Sequence, residues 1–276
     1  MTYATLMVSL QLGQANTTLL RVAADLAERF HAGVIGIAAC RPLEVVYCES
    51  PAPAKLFEED RKEIDRQIKA VEAEFRTALQ NRTSRLEWRP RVTVLPLSEQ
   101  IASEARSADL LVTGVDRKSG LFDATRQVDH RDLVMQAGRP VLIVPAAATE
   151  TRFDRVLVGW KETCEARRAI VDALPFLTKA AHVTVVEVTA KEEVARARTR
   201  LADVIGWLKH HGIEAQPIAA ASTGTHAREL NAIADEQKAD LIVAGAYGYS
   251  RQQEWVLGGV TSDLLLRADR CSLLSR

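Results

Sequence analysis

Ala108-Asp109-Leu110-Leu111-Val112-Thr113-Gly114 and Ala239-Asp240-Leu241-Ile242-Val243-Ala244-Gly245 are one heptad written twice, 131 residues apart. Each is a short apolar run closed by glycine, the pattern of a strand buried on both faces. The same offset lays Asp132-Leu133-Val134-Met135 on Asp263-Leu264-Leu265-Leu266. Near the start of the chain the offset becomes 150, matching Leu6-Met7-Val8 with Val156-Leu157-Val158. The chain is therefore a repeat, and its first half holds 19 more residues between the first and fourth strands. Their natural place is 41–54, where Pro42, Pro51 and Pro53 interrupt any regular element.

Around the heptads the pattern alternates. In the first half, strands are expected at 6–10, 33–38, 91–95, 109–113 and 140–144, with helices at 16–30, 56–81, 98–107 and 129–137. In the second, strands are expected at 155–159, 183–188, 215–219, 240–244 and 271–274, with helices at 164–178, 191–211, 226–237 and 260–268. Such alternation predicts α/β architecture with two consecutive open parallel-sheet domains. They span 1–146 and 152–276, with the boundary just after Pro145.

Composition removes several function classes. Lys+Arg and Asp+Glu both number 36, so no net charge draws the chain to nucleic acid or an anionic membrane. No apolar stretch approaches the roughly 20 residues of a membrane span. The start of the chain lacks a basic region and cleavage site, so the expected location is cytoplasmic. Cys40, Cys48, Cys164 and Cys271 form no C-x-x-C pair and read as reduced thiols. No nucleophile elbow, Walker lysine or metalloprotease helix is present, so no catalytic residue and no metal ligand is assigned. His130 beside Asp129, Asp132 and Asp123 reads as ordinary helix capping. His210 and His211 read as the cationic end of a helix before Gly212.

The second heptad opens a glycine-rich stretch: Gly245, Gly248, Gly258, Gly259, then Val260 and Thr261. A glycine loop between a strand and a helix lets backbone N–H groups converge on a phosphate. In the first half the offset of 131 replaces Gly248 by Arg117, Gly258 by Gln127, Gly259 by Val128 and Thr261 by His130. Only Gly114 survives, so that site reads as degenerate. Tyr247, Tyr249, Trp255 and Trp160 gather around the second loop, where they would stack on a base or simply pack the loop down.

At these residues each half resembles a universal stress protein domain, and the whole chain resembles a tandem of two. The resemblance rests on the strand and helix order, the Ala-Asp-Leu fourth strand, the glycine loop after it, and Gly138-Arg139-Pro140 before the last strand of half one. It implies a Rossmann-like, adenine nucleotide alpha hydrolase-like fold. It also implies an intramolecular pseudo-dimer in which 141–144 pairs with 272–274, and it leaves room for a further homodimer. Many members bind ATP through Gly-x2-Gly-x9-Gly-[Ser/Thr], which here gives Gly245, Gly248 and Gly258, with Gly259 where the hydroxyl belongs and Thr261 two residues on. Members that bind ATP carry an Asp at the end of the first strand; here that place is Lys161 in half two and Gln11 in half one.

The resemblance thus implies a stress-response protein whose second domain holds ATP or another adenine nucleotide, with Mg2+ as its counter-ion. The nucleotide-binding residues would be Lys161, Gly245, Gly248, Gly258, Gly259, Val260 and Thr261. A second reading stays open: a nucleotide-independent interaction module for an unidentified protein partner or a different small ligand, with 41–54 as its first surface. Slow ATP hydrolysis ranks last, because no general base is visible.

Overall fold

Leu6, Met7, Val8, Leu110, Leu111 and Val112 are all at 0 % exposure, and the runs they form are the central strands of the first domain. The computed structural model describes residues 2–43, 54–115, 126–149, 151–222, 224–246, 264 and 270–276. These fall into two compact units, Tyr3–Ala146 and a second built from Ala147–Arg276.

In the first unit the strands are β1 (Thr5–Leu10), β2 (Gly33–Cys40), β3 (Leu86–Val92), β4 (Leu110–Gly114) and β5 (Val141–Val144). All neighbours pair in parallel, in the order β3-β2-β1-β4-β5. The helices between them are α1 (Thr17–Phe30), α2 (Ala54–Leu79), α3 (Leu97–Glu104) and α4 (His130–Gln136). The second unit repeats this with β6 (Arg155–Gly159), β7 (His182–Thr189), β8 (Ala215–Ala221), β9 (Leu241–Gly245) and β10 (Cys271–Ser275). Their parallel order is β10-β9-β6-β7-β8. Its helices are α5 (Cys164–Asp172), α6 (Leu174–Leu177), α7 (Val194–His210) and α8 (His226–Glu236). The helix expected over 260–268 lies outside the described residues apart from Leu264, which is buried in a helical turn.

Three expectations are corrected. The strand expected at 91–95 forms earlier, as Leu86–Val92. Its register is set by Gly36, which pairs with Trp88. A Cβ on Gly36 would come within 2.8 Å of the Trp88 ring and 2.9 Å of Phe75, so the missing side chain is the hollow those rings fill. The apolar run that suggested 91–95 leaves the sheet, with Val94 67 % exposed. The helix expected over 164–178 breaks at Ala173 into α5 and α6, because Pro175 has no N–H for a continuous helix. Finally, the 19 extra residues of the first half are not all loop: α2 has 26 residues against 17 in α7.

In each domain one outer strand, β3 or β8, carries a proline on its open side. Val34 N–H donates to Arg85 O, and Thr93 N–H donates to Cys40 O, so the odd residues of β3 face β2 and Pro90 faces outward. Ser222 N–H donates to Thr189 O, which turns Pro217 of β8 outward by the same reasoning. Each proline removes a donor that a foreign strand would need.

The repeated Asp of the heptads is a strand tie. Asp109 Oδ2 accepts from Ala4 N at 2.8 Å and Thr5 N at 2.9 Å. Asp240 does the same for Asp154 N at 2.8 Å and Arg155 N at 3.1 Å. Each carboxylate thus fastens the start of one central strand to its neighbour.

Glu104, at 4 % exposure, is gripped by Arg91 at 2.8 Å and Arg89 at 3.1 Å. Burial pushes its carboxyl up, but the hydrogen bonds of Arg91 and Arg89 and the charges of Arg91 and Arg106 outweigh burial and hold it below the usual carboxylate range. A carboxyl whose folded pKa is depressed stabilises the fold above its unfolded pKa of about 4.3. That contribution is lost as pH falls through the folded value. The urea midpoint of the first domain is therefore expected to fall below about pH 4.3, with a shallower fall in Glu104→Gln.

Candidate functional site

In an open parallel sheet, ligands sit beyond the carboxyl ends of the strands where the winding reverses. In the second domain the chain moves outward from β6 to β7 and β8, then returns to the other side of β6 for β9 and β10. The reversal lies between β6 and β9. The carboxyl ends there are Gly159-Trp160-Lys161 and Gly245-Ala246. In the first domain the same reversal lies between β1 and β4, at Leu10-Gln11 and Gly114-Val115.

The second-domain crevice is rich in donors. Gly159 faces α8, since a Cβ there would lie 3.4 Å from Leu230. Strand alternation puts Lys161 on that same side, where it stands exposed near the first residue of α8, His226. Lost hydration, and then the Lys161 ammonium, push the His226 imidazole below its ordinary value. Trp160 points to the opposite face and is 8 % exposed, with its indole N–H buried and unpartnered among the described residues. The Thr163 hydroxyl caps α5 by accepting from Ala166 N at 3.3 Å. The positive end of α5 thus arrives at the end of β9.

Gly245 is held by this arrival. A Cβ on it would lie 2.5 Å from Ala166 N, 2.6 Å from Glu165 C and 2.9 Å from Glu165 Cβ. Gly114, its counterpart, has nothing among the described residues nearer than 3.9 Å. Gly245 is thus required by close approach of backbone to backbone, a role beyond the phosphate contact expected from the loop pattern. Of the expected binding residues, Lys161 and Gly245 stand at the crevice. Gly248, Gly258, Gly259, Val260 and Thr261 lie outside the described residues, as do Tyr247, Tyr249 and Trp255.

At the corresponding strand ends of the first domain, described side chains fold back onto the backbone. Asn16, 2 % exposed, bonds the loop above β1: Gln11 N–H donates to its Oδ1 at 2.9 Å, and its Nδ2 donates to Gln11 O at 3.0 Å. The Gln11 Nε2 atom is buried and has no partner among the described residues. His130, at the place of Thr261, turns back onto β4, its Nε2 lying 2.8 Å from Gly114 O and 3.3 Å from Thr113 Oγ1. Asp129 caps α4 as its position suggested, accepting from Arg131 N at 2.9 Å. Arg126, just before Gln127, is tied to Asp60 of α2 at 2.6 Å. Sequence reasoning missed Asp60, because a carboxylate on a helix rich in Glu, Arg and Lys looks solvent-facing.

Residues 152–274 match the model of the Universal stress protein family. No curated protein matches the chain by sequence. A universal stress protein from Archaeoglobus fulgidus DSM 4304 shares the fold at a TM-score of 0.74 and 16 % identity, over 99 % of this chain and 96 % of that one. A functionally unknown protein from Pseudomonas aeruginosa PAO1 shares it at 0.65 and 13 % identity, over 99 % and 92 %. Both likenesses run through the two domains and show a common architecture. The match over 152–274 is one of sequence as well, and it makes the second domain a universal stress protein domain.

Proposed function

We propose that the second domain captures the phosphates of an adenine nucleotide, ATP among them, at the β6–β9 crevice. The observation that carries this reading is the glycine spacing Gly245, Gly248, Gly258, Gly259 beginning at the carboxyl end of a strand that borders the reversal point. The donors at the crevice fit an anion: Lys161 supplies a full charge, and α5 directs its positive end there. The backbone N–H groups around Gly258, Gly259, Val260 and Thr261 would hold the phosphates, and Mg2+ would neutralise the charge that remains. Binding and its consequence for a partner are the function; no side chain at the crevice is assigned to chemistry on the nucleotide.

The test is mass spectrometry of small molecules released on denaturing freshly purified protein. Adenine nucleotide is expected from the wild type and absent from Gly248→Arg, which installs the type of residue the first domain carries as Arg117. Equal amounts from both would remove this site from consideration.

A second reading is favoured by Lys161, a donor where an acceptor would meet an adenine amino group. On that reading the domain is a docking module that works without nucleotide. Wild-type protein free of nucleotide, with unchanged partner capture in Gly248→Arg, is the outcome that selects it.

A further inference from the structure

Aligned at Leu79 and Leu208, which accept from Arg82 N and His211 N three residues on, α2 reaches eleven residues further than α7 at its N-terminal end. Asp60 is on those extra turns and is 8 % exposed. Its carboxylate is met by donors from two separate segments. Arg126 Nη2 reaches both oxygens, at 2.6 and 2.7 Å, and Leu43 N–H donates to Oδ2 at 2.9 Å. Arg126 Nε donates to Arg41 O at 2.9 Å, which binds the same two segments a second time. Arg41 Nε is itself buried and has no partner among the described residues. The Cys40 thiol lies within the field of this cluster: burial pushes it up, and Arg126 and Asp60 act on it in opposite directions.

A guanidinium and a backbone N–H converging on one point form a donor set for an oxyanion. Here the oxyanion is part of the chain. Arg126 directly precedes Gln127, the residue at the place of Gly258 in the intact loop. We infer that Asp60 is a built-in surrogate for a bound oxyanion: the added turns of α2 bring a carboxylate to the degenerate loop, so the first domain is completed by its own side chain. The carboxyl end of β2 then needs no free oxyanion, and one that came would have to displace a carboxylate held at high effective concentration. Removing the Asp60 side chain leaves Arg126 and Leu43 N–H facing a hollow, and that hollow is a site for a small free oxyanion.

The experiment is chemical rescue, read by thermal unfolding of the full chain in sodium chloride, sodium formate or sodium phosphate at matched ionic strength. Asp60→Ala is expected to lower the melting temperature by roughly 5–10 °C in chloride. Formate should restore at least half of that loss with a saturable dependence, and phosphate less, because the hollow has the size of a carboxylate. The double variant Asp60→Ala/Arg126→Ala should gain nothing from formate, and wild type should not respond. Should Asp60→Ala stay unfolded in chloride, folded protein in formate gives the same answer, and none in either salt contradicts the proposal. It is also overturned if Asp60→Ala melts with wild type, or if formate lifts the single and double variants equally.

Discussion

Gly245→Ala is expected to destabilise the second domain by about 3 kcal/mol, while Gly114→Ala changes the first by less than about 0.5 kcal/mol. The two glycines close the same heptad and differ only in what faces them. At Gly245 the added carbon would press on Ala166 N and Glu165 C, at 2.5 and 2.6 Å, and both are backbone atoms of the capped first turn of α5. Neither can rotate away. Relief requires moving α5, which packs on β9 and β10. At Gly114 the nearest atoms of the described residues are at 3.9 Å, an ordinary contact, and the substitution removes some backbone freedom from the unfolded chain. Urea unfolding of the two variants beside wild type measures both. Equal small effects would show that α5 yields easily, and the packing account of Gly245 would fall.

Phe153→Ala should cost about 3–4 kcal/mol and lower the melting temperature of the second domain by on the order of 10 °C. Phe153 is completely buried and meets Phe176 edge-on at 5.4 Å. Its backbone is left-handed, φ +50°, a conformation that is uncommon away from glycine. The chain accepts it in order to bury the ring at the entrance to β6. The first domain opens in the same way: Tyr3, 150 residues earlier, meets Phe30 edge-on at 5.1 Å. Differential scanning calorimetry of Phe153→Ala reads the effect. A melting curve that superimposes on wild type would mean the pair contributes nothing.

The repeat and both sheets were legible because a strand buried on both faces writes an unbroken apolar run, and two copies of such a run expose their own offset. Edge strands are less legible. β3 has alternating burial and a proline, and its position is fixed by the hollow at Gly36, a contact across 52 residues that no local pattern contains. Phe153 was hidden for the opposite reason: it directly follows the stretch read as a boundary, and an isolated aromatic has no periodicity.

At the candidate crevice, Gly245 was named from the glycine spacing and Lys161 from the family resemblance, and both lie at strand ends there. The packing duty of Gly245 was not legible, because it depends on where the first turn of α5 lands. Asp60 and Arg126 were illegible for a related reason. They are 66 residues apart, and each taken alone is an ordinary surface charge. Only the tertiary structure shows that the added turns of α2 meet Arg126, the residue before Gln127.

The account holds that one domain takes a nucleotide and the other is filled from within. The most direct test is calorimetric titration of the full chain with ATP and Mg2+. One nucleotide per chain is predicted for wild type and for Asp60→Ala, and none for Gly248→Arg. Two nucleotides per chain, undiminished binding in Gly248→Arg, or no heat of binding in wild type at millimolar ATP would contradict it.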